Sequence, residues 1–187
     1  MMLLMDFTTF RLPEVGKWVG MAGGRVGPPR VEEVLEKVRR IDGERGTVTQ
    51  VFDARRVAGK AHLAHAARLA LLHRSRGLGF ADSLAAELAC WVAADGQIKR
   101  ALEKVGLRRD SRTVALLSVG EEREGVEGAL AAVLREIGAR REDGVMELLP
   151  SKRRALTEAF SLPREMVRRL GIQKLVLERV ALLALEL

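Results

Sequence analysis

The segment from Gly59 to Arg76, GKAHLAHAARLALLHRSR, most constrains what this chain can fold into. At about 100° per residue, Leu63, Leu69, Leu71 and Leu72 spread right round a helix axis, whereas His62, His65, Arg68, His73 and Arg76 share one sector. A helix apolar on nearly every side needs cover on nearly every side, so it must be central. Its polar sector should face a ligand, a partner or solvent. After it, Leu84, Leu88, Trp91, Ile98, Leu102 and Val105 hold helical spacing, broken at Asp95 and Gly96. A carboxylate inside an apolar stripe is costly unless backbone N–H groups satisfy it. The spacing therefore predicts a break, with Asp95 capping a second helix that ends at Gly106.

The cover comes from strands and amphipathic helices. Met1 to Phe10 has strand propensity, and TVTQVF (Thr47 to Phe52) alternates with β-branched residues. RTVALLSV (Arg112 to Val119) is a nearly continuous apolar run, which suits a strand buried on both faces. KWVGMAGGRV (Lys17 to Val26) could be a short strand, but its glycines favour a turn. Helices are predicted from Pro29 or Arg30 to Arg40 and from Glu124 to Ile137, with a loop at Gly43 to Gly46. Val145 to Leu149 reads as an edge strand ended by Pro150. Ser151 then caps a helix to Phe160, Pro163 takes the first position of another that ends at Gly171, and a terminal helix follows. Intermingled strands and helices imply an α/β (α+β) fold, with a small mixed or antiparallel sheet packed with several helices. The 187 residues are expected to form a single compact domain.

Chemistry-bearing residues are few. One cysteine, Cys90, leaves no disulfide framework and fits a reducing compartment, so a cytoplasmic location is expected. The opening MMLLM meets Asp6 too soon for a signal peptide or a membrane span, and no membrane partner is expected. The glycines of residues 20 to 27 lack the Gly-Lys-Ser/Thr of a phosphate loop. His62 and His65 have no carboxylate or cysteine at ligand spacing, and Cys90 has no basic neighbour in sequence. No metal, cofactor or catalytic set is expected. An enzyme would have to assemble Asp53, His62 and Glu87, each with a plainer explanation as turn residue, helix-face histidine and capping carboxylate.

Charge offers a positive alternative. The chain carries 32 Lys and Arg against 25 Asp and Glu, a net +7, which favours phosphate-bearing partners. Tyrosine is absent and aromatics make up 4%, which argues against base-stacking platforms and for salt-sensitive backbone contacts. Arg56, Lys60, Arg68, Arg74, Arg76, Lys99 and Arg100 are the candidate RNA contacts, chosen for charge and proximity in sequence. Scattered solvated charges are the alternative reading.

An ordered series of motifs then stands out: Phe52-Asp53-Ala54, Val57-Ala58-Gly59-Lys60, His62-Leu63, Ser83-Leu84 with Glu87, Gln97-Ile98 with Ala101 and Gly106, Val114-Ala115-Leu116 to Val119-Gly120, and Leu177-Glu178-Arg179-Val180-Ala181-Leu182. Over roughly residues 48 to 187 the series resembles the small kinase-binding subunit of the KEOPS complex, the PRPK-binding-protein family. That resemblance implies a non-catalytic regulatory subunit. It would bind a small atypical kinase/ATPase and help recruit tRNA by its 3′ CCA end for threonylcarbamoyladenosine formation. The family often carries Ala-Ser-Gly-x-Arg-Gln-Ile where this chain has Val92-Ala93-Ala94-Asp95-Gly96-Gln97-Ile98, so the pattern's Ser, Gly and Arg are replaced by Ala93, Ala94 and Gly96. For the kinase, exposed aliphatics of the helix pair and the C-terminal segment are the candidates: Leu88, Leu175, Val176 and Leu183, with core packing as the alternative. A stand-alone basic RNA-binding module is the other non-enzymatic reading.

Overall fold

A computed structural model describes residues 6–187. Among them five strands form one antiparallel sheet: β1 (Thr8–Leu12), β2 (Lys17–Arg25), β3 (Thr47–Asp53), β4 (Thr113–Gly120) and the two-residue β5 (Arg140–Arg141). The main order is β1-β2-β4-β3, and β5 pairs with the far end of β2. The helices are α1 (Val31–Arg45), α2 (Lys60–Ser75), α3 (Leu84–Ala93), α4 (Ile98–Val105), α5 (Arg123–Glu136), α6 (Arg153–Ala159), α7 (Arg164–Leu170) and α8 (Ile172–Leu183). The α+β class expected from the sequence is the class observed.

Strand alternation sorts these helices into two layers. In β4, Val114 and Leu116 join the core beneath α1 and α5, while Ala115, Leu117 and Val119 join the core beneath α2, α3 and α8. That two-sided burial explains why β4 reads as an unbroken apolar run. The α2 helix packs against α3, α8 and β2 and buries Leu63, Ala66, Ala67, Ala70 and Leu71, so it is central. Its polar sector is not a ligand-facing stripe, because His62 is fully buried and His73 packs edge-on to the Trp91 ring at 4.8 Å.

Several local readings need correction. The glycine-rich Lys17–Arg25 segment is a nine-residue strand, not a turn. Its glycines permit close approach: a Cβ on Gly20 would stand 2.5 Å from Val126 Cγ1 of α5, and one on Gly23 would stand 2.7 Å from Val145 Cγ2. Helix α1 runs through the segment read as a loop and ends only where Gly46 turns left-handed at φ 64°. In place of an edge strand at Val145–Leu149 there is a 3-10 turn, Asp143–Met146. Another such turn, Pro150–Lys152, precedes α6, which has no side-chain cap, and Pro163 sits one position before α7 instead of opening it. The β1 strand begins at Thr8, after Asp6 and Phe7, which are not part of it, and residues 1–5 of the Met1 to Phe10 reading lie outside the described residues.

Candidate functional site

The α3–α4 junction draws polar groups from three elements into one corner. Helix α3 ends at Ala93, and Ala94 adopts a left-handed conformation with φ 51° and ψ 44°. Asp95, 7% exposed, follows. Its Oδ1 accepts from the Gln97 backbone N–H at 3.0 Å and from Arg100 Nη2 at 3.0 Å, and its Oδ2 meets Lys104 Nζ at 3.0 Å. Burial pushes this carboxyl up, but the bonds from Arg100, Gln97 and Lys104 outweigh it and hold the pKa down at about 2. The stripe breaks where the sequence suggested, but Asp95 is not the cap: Gln97 holds that position of α4 without a side-chain cap bond, and the carboxylate instead closes a turn onto the Gln97 N–H and binds two cations.

His62 holds the same corner from α2. Its Nδ1 accepts the Ala58 N–H at 3.1 Å. A backbone N–H only donates, so the ring proton sits on Nε2, which donates to the Val92 carbonyl at 2.8 Å. Burial lowers the His62 pKa to about 4, so the ring is a neutral bracket between the start of α2 and the end of α3. Cys90, buried in α3, has its thiol pushed up to about 11 by desolvation and by Asp95 and Glu87. A thiol so held is protonated and unreactive.

The three residues of the enzyme reading keep separate company. Asp53 binds Arg55 and the Ser111 hydroxyl, His62 binds Ala58 and Val92, and Glu87 binds Arg74. Burial raises the Asp53 pKa, but the Arg55 and Ser111 hydrogen bonds win and leave it lowered. No hydrogen-bonded catalytic constellation links the three.

The candidate RNA residues do not converge. Arg74 is taken by buried Glu87 at 2.7 Å, Arg100 by Asp95, Arg68 by Glu14 at 3.2 Å, and Arg56 donates to the Lys104 carbonyl at 2.8 Å. Lys60, Arg76 and Lys99 form no ion pair among the described residues. Lys60 and Arg76 lie sixteen residues apart at opposite ends of α2, or ~24 Å at the helical rise.

The four candidate kinase contacts are not exposed. Leu88 and Val176 are 0% exposed, Leu183 2% and Leu175 5%, because each lies on the face its helix turns to the core. The same two regions present other apolar groups to solvent: Ile98 and Leu102 on α4, and Leu182, Leu185 and Leu187 at the C-terminal end, with Leu185 82% exposed. A Cβ on Gly96 would stand 3.5 Å from Leu187 Cδ2, which ties the C-terminal end to the α3–α4 junction.

The residues passed over were the arginines of α6 and α7. Pro150 to Lys174 holds seven basic and two acidic residues, a net +5 within a chain of net +7. That local density is the signal that would have found them. Arg153, Arg154, Arg164 and Arg168 line a cavity of about 610 Å³ between the two helices.

Residues 31–184 match the family described as kinase binding protein CGI-121. The chain belongs to that family. The match to CGI-121 runs from the first residue of α1 to just past α8, so it takes in both helical layers and reaches further toward the N-terminus than the motif series does. No curated protein matches the chain. A CGI-121 chain is a kinase-binding protein, and no helix among the described residues is long and apolar enough to cross a membrane.

Proposed function

We propose that this chain is the non-catalytic CGI-121 subunit of a KEOPS complex. It binds the small atypical kinase/ATPase and helps bring tRNA, by its 3′ CCA end, to threonylcarbamoyladenosine synthesis. The observation that carries the reading, beside family membership, is the exposed apolar surface of α4 and the C-terminal end. Ile98 and Leu102 lie four residues apart on α4, on the same apolar stripe as the buried Ala101 and Val105, and form its exposed edge. Leu185 and Leu187 extend that surface past α8. Apolar groups so placed, with the cations of the corner withdrawn onto Asp95, suit a protein partner better than a nucleic acid.

The test is co-expression with the kinase subunit. Leu102→Asp with Leu185→Asp should abolish co-purification while the thermal midpoint stays within a few degrees of the parent, since both side chains are exposed. Intact co-purification would remove this surface from the interface. In parallel, tRNA should bind the complex more weakly when its CCA end is removed.

A further inference from the structure

We propose that the cavity between α6 and α7 is a phosphate site that takes the phosphodiester backbone of a structured RNA. It is separate from the Asp95 corner and reads no sequence. The inference rests on the RNA half of the function proposed above but not on recognition of the CCA end.

Each of the two helices is seven residues long, and only Leu156 of α6 and Val167 of α7 are buried. Phe160 and Leu162, both 5% exposed, anchor the turn between them in the core. With so little of each helix needed for packing, the arginines are free to face the cavity. Arg153, Arg164 and Arg168 form no ion pair among the described residues. Arg154 pairs with Glu158 at 2.9 Å, and Glu158 is the single acid lining the space.

Ser151 and Thr157 add hydroxyl groups to the wall, and Pro150 and Val167 its apolar part. Guanidinium forks and hydroxyls are the groups that hold phosphate oxygens, and neither distinguishes one base from another. The volume of about 610 Å³ falls within the range of about 300–1,000 Å³ usual for ligand sites. Concavity favours a ridge of nucleic-acid backbone over a flat anionic membrane. Unpaired arginines drawn close together repel one another, and a polyanion relieves that repulsion on binding.

The experiment measures binding of the full chain to a tRNA transcript, with and without its CCA end, between about 50 and 200 mM salt. Arg164→Glu with Arg168→Glu should lower affinity about tenfold or more and flatten the salt slope by about 2, near 0.9 per lost phosphate contact. Arg164→Lys with Arg168→Lys should keep most of the slope, and both variants should unfold at the parent's temperature. The loss must persist on tRNA lacking CCA. Unchanged affinity and slope in the Glu variant, or a loss seen only with CCA present, would overturn the site. So would loss of binding to phosphatidylserine vesicles with RNA binding intact. Binding insensitive to CCA but still lowered by the Glu variant would keep the cavity and remove the CCA reading, whereas a parent chain that binds no RNA would remove both.

Discussion

The Asp95 corner and the α6–α7 cavity both gather basic residues, but they use them in opposite ways. At the corner Arg100 and Lys104 close on one carboxylate that is 7% exposed, and His62 spends both ring nitrogens on backbone groups. Around the cavity three arginines meet no acid at all among the described residues, and a fourth holds an exposed i,i+4 pair of the kind worth a few tenths of a kcal/mol. Count of basic residues therefore says little about where a polyanion can bind. What matters is how much of each cation remains uncommitted. Inward-turned groups should control stability, and outward-turned ones should control binding.

The largest expected effect on stability is at His62. Its ring is neutral when folded, with a pKa near 4 because of burial, whereas the unfolded ring titrates near 6.5. Between those values the unfolded chain holds one more proton, so stability is complete above about pH 6.5 and falls as pH drops toward 4. At about 1.4 kcal/mol per pH unit the loss approaches 3 kcal/mol. His65, also lowered by burial, acts in the same sense. Urea unfolding at several pH values should show the slope in the parent and a much smaller one in His62→Gln. Equal slopes in the two proteins would mean that His62 is not the neutral bracket.

Next in size is Asp95→Ala. Removing a nearly buried carboxylate that accepts from Gln97, Arg100 and Lys104 should cost about 2 kcal/mol, a figure moderated because both cations are partly exposed. The change also sharpens the contrast between the two regions, because it frees two cations at the corner. RNA affinity should rise slightly while stability falls. A variant as stable as its parent would show that water replaces those bonds without loss.

Much of the fold was legible because the relevant signals are local. The alternation of Thr47–Asp53, the apolar run of β4, the stripe of α5 and the break at Asp95 each follow from side-chain period or from the cost of a buried charge. The Lys17–Arg25 strand was misread because glycine marks turns and close approach alike, and only the position of Val126 over Gly20 decides between them. The surface was less legible. IQKLVLERVALLALEL is rich in apolar groups on both sides of α8, so spacing alone did not show that Leu175, Val176 and Leu183 face the core while Leu182 does not. Ion pairing was invisible for a related reason: Arg74 reaches Glu87 and Arg68 reaches Glu14 across long stretches of sequence.

The smallest effect concerns the backbone of the corner itself. Ala94 holds φ 51°, a left-handed conformation that costs an L-residue with a Cβ roughly 1–2 kcal/mol. It stands where the KEOPS-subunit pattern Ala-Ser-Gly-x-Arg-Gln-Ile has its glycine. Ala94→Gly removes that strain but widens the unfolded ensemble at a cost of about 0.4–1 kcal/mol. The net gain should be about 0.5 kcal/mol, or a rise of roughly 1–2 °C in thermal midpoint for a chain of this size. The hydrogen bonds of Asp95 are untouched by the change, so RNA affinity should not move. A lower midpoint would show that Ala94, partly buried and lining a small space with Ala93, Phe160 and Leu182, contributes more by packing than it loses by strain. In that case the alanine is an adaptation of this corner and not a tolerated departure from the family pattern.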